Sequence, residues 1–104
     1  MITIKDIIKW SKPHPTSLYS KEKGRQSRFG NKKIEFSIVG GQPGLYGDFK
    51  NTFEVAIFDV EDGTFVTKYF YSGAGDDVIP YMEASEVEKL VNSVIKMKDL
   101  SIEK

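Results

Sequence analysis

A period of two, repeated along the middle of the chain, constrains this fold more than any other feature. From Lys33 onward Ile34, Phe36 and Ile38 alternate with Glu35 and Ser37, as in a strand that buries one face. Thr52–Val60 resumes the pattern, with Phe53, Val55 and Ile57 on one face and Ala56, Phe58 and Val60 on the other. Glu61-Asp62-Gly63 then reads as a tight hairpin, and Phe65–Tyr71 as its returning strand. With Gly63 in the left-handed position of a bulged three-residue loop, Val60 opposes Thr64, and Phe53, Val55 and Ile57 face Tyr71, Tyr69 and Thr67. A two-residue Asp-Gly turn would instead set Lys68 opposite Ile57 and mix both faces. The pattern predicts an antiparallel meander of strands near 33–39, 52–60 and 65–71.

At both ends the period becomes helical. Ser85-Glu86-Val87-Glu88 matches a capping box, with Ser85 as N-cap and Glu88 at the third helical position. Val87, Leu90, Val91 and Val94 then form an aliphatic stripe on a helix of about 85–97, and 98–104 is expected to fray. Near the N-terminus, Thr3 and Asp6 form a second capping pattern ahead of Ile4, Ile7 and Ile8, and this short helix must stop before Pro13. Residues 11–31 show no period and read as a long basic connection, with a short strand at Gln26–Phe29, turned at Gly30-Asn31, as a lesser option inside it. Residues 40–47 and 72–82 read as further connections. The expected fold is one α+β domain over 1–104: a small antiparallel meander, a C-terminal amphipathic helix packed on one face and a short N-terminal helix.

Composition supports this and excludes several chemistries. A chain of 104 residues has room for one core, and 39% hydrophobic residues are enough to fill it. Without cysteine there is no disulfide, thiolate nucleophile or thiolate metal site. The longest apolar run, Val55-Ala56-Ile57-Phe58, is far short of the ~20 residues of a membrane span, and Met1–Asp6 does not read as a signal peptide. A soluble, cytoplasmic protein is expected.

Net charge is zero, yet it is unevenly spread. Residues 1–33 hold nine basic and two acidic side chains, a net of +7, so the remainder carries −7. Lys21, Lys23, Arg25, Arg28, Lys32 and Lys33, with Phe29 as a stacking ring, are the candidate binding residues, for phosphates of a nucleic acid or for an acidic protein surface. Neutralisation by the chain's own thirteen remaining acids is the competing structural explanation. A protein partner is favoured over nucleic acid, because the acidic remainder repels the polyanion that the basic segment attracts.

Catalytic inventory is thin. His14 is the only histidine and stands between two prolines. Asp59–Gly63 lacks the spacing of a calcium loop and reads as a turn. The glycines of 40–47 precede a strand, whereas phosphate loops open a helix, so they too read as turn residues. Asp76 and Asp77 would need Glu83 or Asp48 to hold a divalent metal, which is the less favoured enzymatic reading. Tyr69-Phe70-Tyr71, with Tyr81 and Met82, offers an aromatic surface. A non-enzymatic binding or regulatory protein without cofactor is expected. Phe58, Val66 and Phe70 on the second sheet face point to a homodimer.

Three phrases resemble those of small uncharacterised accessory proteins of tailed bacteriophages: Pro13-His14-Pro15-Thr16-Ser17-Leu18-Tyr19, Val39-Gly40-Gly41-Gln42-Pro43-Gly44-Leu45-Tyr46-Gly47-Asp48-Phe49 and Gly75-Asp76-Asp77-Val78-Ile79-Pro80-Tyr81. That resemblance implies action in the cytoplasm of an infected bacterium by binding a host or phage macromolecule. It carries no catalytic motif.

Overall fold

The computed structural model describes residues 1–15, 24–71 and 77–98. In chain order its elements are α1 (Ile4–Lys9), β1 (Lys12–Pro13), β2 (Arg25–Gly30), β3 (Ile34–Gly40), β4 (Thr52–Asp59), α2 (Thr67–Phe70), β5 (Val78–Glu83) and α3 (Ala84–Lys98). The strands form one antiparallel sheet in the order β1-β2-β3-β4-β5, so the expected α+β meander is present with five strands. It departs from expectation in two places, the first being β1 and β2, which both lie in the segment 11–31 read as a long connection. Residues 25–30, read mainly as part of a connection, form a full strand paired with β3 from Arg25↔Gly40 to Gly30↔Glu35.

The other difference is at Phe65–Tyr71, which is not a strand. The turn at 60–63 keeps Gly63 at φ +73°, but the Asp59 amide donates to the Thr64 carbonyl and Phe58 pairs with Phe65, one residue away from the expected register. The chain then turns into α2. The strand that completes the edge of β4 is β5, a segment read as connection, with Phe53↔Met82 and Val55↔Ile79 as partners. The reason is chemical. The expected pairing would have placed Tyr69 and Tyr71 on the buried face, where each hydroxyl needs a partner, whereas β5 buries Ile79 and Met82, which carry no such group. Tyr69 instead is 73% exposed.

One core lies on one side of the sheet. Phe29, Phe36, Ile38, Phe53, Val55 and Ile57 alternate along β2 to β4 and meet Ile7 of α1 and Val87, Leu90, Val91 and Val94 of α3. Full burial contributes about 1.5–3 kcal/mol for each aliphatic side chain of that stripe. Phe70 and Tyr71 share a groove with Leu90 and Ser93, so α2 lies on the same side as the other two helices. α1 has the expected capping box, with the Asp6 amide donating to Thr3 Oγ1 and the Thr3 amide to Asp6 Oδ2. α3 starts earlier than expected. Ala84 is already helical, the Glu86 carboxylate accepts from the Glu83 amide at 3.2 Å, and Ser85 is not the cap. Glu88, expected to cap its own helix, instead accepts the Ile4 amide at 2.6 Å, satisfying a donor that the start of α1 leaves open. Of the segment 98–104 expected to fray, Lys98 is the last helical residue and 99–104 lie outside the described residues. Among the described residues no helix is long and apolar enough to cross a membrane.

Both outer strands discourage further pairing. β1 contains Pro13, and β5 contains Pro80 together with a register shift opposite Glu54. At this shift Tyr81 takes φ +54°, and its amide leaves the ladder to bond the Tyr46 carbonyl at 2.9 Å. Proline and bulges are the usual means of blunting a sheet edge.

Candidate functional site

With the three helices on one side, no helix of the described residues covers the other. Cross-strand pairing places Gln26 and Arg28 of β2, Glu35, Ser37 and Val39 of β3, Glu54, Ala56 and Phe58 of β4, and Val78 of β5 on that face. Ser37, Val39 and Ala56 in its middle are buried, and at the Asp59 end of β4 it carries an aromatic pair. Phe58 and Phe65 meet with ring centroids 4.6 Å apart, and Phe65 remains 38% exposed beside exposed Val60. Arg28 lies with its guanidinium carbon 5.7 Å from the centre of the Phe58 ring while its Nε donates to Glu35 Oε1 at 2.9 Å, an ion pair completed by Nη2. Gln26 Nε2 donates to Ser37 Oγ at 3.2 Å and fills the adjoining strip. At the far corner the Tyr46 amide donates to the Glu54 carboxylate, and the Tyr46 and Tyr81 rings lie 5.9 Å apart. This surface combines exposed aromatic rings with a guanidinium held in place and charges of both signs.

The proposed basic segment is dispersed by the sheet. Arg25 and Arg28, an odd number apart on β2, lie on opposite faces. Phe29, expected as a stacking ring, is 1% exposed, stacked on Phe36 at 5.2 Å and edge-on to Trp10 at 5.4 Å; its alternation with Arg28 sends it into the core, so it presents no face to a base. Lys32 and Lys33 are exposed at the β2–β3 turn, which the Asn31 side chain shapes by accepting the Lys33 and Ile34 amides. Lys21 and Lys23 lie outside the described residues. The second-face patch expected from Phe58, Val66 and Phe70 is split: Phe58 is on the helix-free face, while Val66 and Phe70 pack against the core.

The carboxylates considered for a metal do not assemble among the described residues. No group of three metal-ligating side chains occurs there, Asp76 lies outside them, and Asp77 contributes its main-chain carbonyl to the Thr67 hydroxyl. Asp48 is occupied locally. Its Oδ1 accepts the amides of Lys50, Asn51 and Thr52 at 2.8–3.0 Å, and those amides, that of Thr52 foremost, hold its pKa down to about 2. Asp62 is also lowered, by the Thr64 hydroxyl and then its amide, as a turn carboxylate. The His14 amide donates to the Gly24 carbonyl, tying β1 to the start of β2.

Sequence reasoning missed Phe65 and Glu35 as members of one surface. The signal was available only through register, since the two residues meet Phe58 from opposite sides. Comparison of the chain with protein-family profiles, with curated proteins and with solved structures finds no match.

Proposed function

We propose that this is a non-enzymatic binding protein whose partner is another protein, docked on the helix-free face. The observation that carries the reading is the Phe58–Phe65 pair with Arg28 laid over it and Glu35 fixing Arg28. Aromatic and arginine side chains held in place supply most of the binding energy in protein interfaces, and mixed charge at the rim selects a complementary partner. Nucleic acid is disfavoured on the same geometry. Arg28 is paired with a carboxylate, Phe29 is buried, and Glu35 and Glu54 stand on the face itself. The phage resemblance belongs to this reading, with a host or phage protein met in the bacterial cytoplasm as the partner.

The test is affinity capture from extract with the wild type, Phe65→Asp and Lys32→Glu/Lys33→Glu, each checked by circular dichroism and with nuclease added. A captured protein lost only with Phe65→Asp supports the reading. Capture indifferent to Phe65→Asp, or abolished by nuclease or by the lysine changes, overturns it. Light scattering is the companion measurement: a homodimer that Phe65→Asp dissociates would make a second copy the occupant of this face.

A further inference from the structure

We propose that the cleft between β2 and the loop joining β3 to β4 binds a small phosphorylated molecule, with Arg25 and Lys50 holding its phosphate. The cleft measures about 580 Å3, and Arg25, Gly41, Gln42, Gly47, Asp48 and Lys50 are among its lining residues. Its volume falls within the roughly 300–1,000 Å3 of small-ligand sites. It lies on the other side of β2 from Arg28, so it is separate from the aromatic face.

Arg25 is a cation fixed in place by neutral groups. Its Nε donates to Ser11 Oγ at 3.1 Å and its Nη2 to the Ser11 carbonyl at 2.7 Å, while Ser11 Oγ itself donates to the Ile8 carbonyl at 2.7 Å. Ser11 is buried, so this latch sets the plane of the guanidinium. No carboxylate of the described residues lies within ion-pair distance of Arg25. A guanidinium has five N–H donors, and those not given to Ser11 belong to a half-buried charge with no counter-ion among the described residues, the situation an anion relieves.

Lys50 is brought to the same cleft by a loop built around its neighbours. Phe49 adopts φ +59°, a left-handed conformation that is costly for a bulky residue, and is held there by its buried ring, stacked on Phe53 at 5.2 Å. Strain of this kind collects where a ligand is clamped. Asp48, the acid of the cleft, has one carboxylate oxygen engaged by three amides of its own loop. Among the described lining residues, two cations against one carboxylate leave a net charge of +1. A carboxylate ligand would use the arginine fork alone, whereas a phosphate dianion takes both the fork and the compact charge of the lysine.

Titration of the full 15N-labelled chain with inorganic phosphate at low ionic strength tests this, with acetate, adenosine monophosphate and a single-stranded oligonucleotide as parallel arms. Saturable shifts confined to the amides of residues 25 and 41–50 are expected, larger for phosphate than for acetate, with the nucleotide binding more tightly than phosphate. Lys50→Gln, an exposed side chain whose loss leaves the Ser11 latch intact, should weaken binding roughly tenfold. Arg25→Lys should abolish it. Absence of saturation, equal response to acetate, or unchanged affinity in Lys50→Gln overturns the proposal. Shifts centred on Lys32 and Lys33 with the oligonucleotide binding tightest would also overturn it, transferring phosphate recognition to nucleic acid.

Discussion

The hydroxyl of Thr67 stands in for a missing strand: Oγ1 accepts the Ile57 amide at 2.9 Å and donates to the Asp77 carbonyl at 2.7 Å. β5 pairs with β4 only as far as Ala56↔Val78, and beyond it the ladder of β4 would be left open inside the protein. Thr67, fully buried, closes that gap with a side chain. The Val66 amide adds a bond to the Ile57 carbonyl at 2.8 Å. This junction lets α2 and β5 share one edge of β4.

Thr67→Val should therefore be costly despite its similar shape. It strands a buried donor at Ile57, at a cost of about 1–3 kcal/mol, and removes the bond to the carbonyl of Asp77, an exposed residue. Thr67→Ser keeps both bonds and should lose about 1 kcal/mol for the deleted methyl. Urea unfolding of both variants checks the order.

The N-terminus is held by two side chains of α3. Asn92 accepts the Ile2 amide at 2.9 Å and donates to the Ile2 carbonyl at 2.8 Å, next to the Glu88–Ile4 bond. Asn92→Ala should destabilise by about 1 kcal/mol and accelerate amide exchange at Ile2 more than at residues of β3. Equal protection in the variant would show that the clamp is not what orders α1.

Asp48 ties loop order to pH. Its folded pKa, about 2, lies below the ordinary carboxylate value of 3.8 because the Thr52, Asn51 and Lys50 amides bind the ionised form. The stabilisation is complete above about pH 4, declines as the pH falls toward 2, and is absent below that. The stability difference between wild type and Asp48→Ala should accordingly narrow over that window, and the Asp48 carboxyl carbon should titrate near 2 by NMR.

Gly47 is required for space. A Cβ there would stand 2.7 Å from the Thr52 carbonyl oxygen and 2.8 Å from the Phe53 Cα, both main-chain atoms unable to swing aside. Gly47→Ala should cost about 1–3 kcal/mol and shift the amide resonances of Asp48–Thr52, whereas Lys50→Ala, an exposed change, should be within about 0.5 kcal/mol of wild type.

Local chemistry alone determined much of this protein. Alternation at Ile34–Ile38 and Phe53–Ile57 identified β3 and β4 and the face they bury; Thr3 and Asp6 identified the start of α1; the stripe Val87, Leu90, Val91 and Val94 identified the face of α3. Each rests on neighbours a few residues apart, within reach of propensity and period. Tertiary structure decided which of two segments completes the edge of β4. Phe65–Tyr71 and Val78–Glu83 both carry apolar residues, and the choice turns on the tyrosine hydroxyls that one would bury and the Ile79 and Met82 side chains that the other can. It also decided the roles of polar groups whose partners lie far along the chain: Glu88 bonds Ile4 rather than its own helix, and Arg25 bonds Ser11. The candidate surface was illegible for the same reason, since Arg28, Glu35, Phe58 and Phe65 become neighbours only through strand register, and a one-residue change in register sends a side chain to the other face.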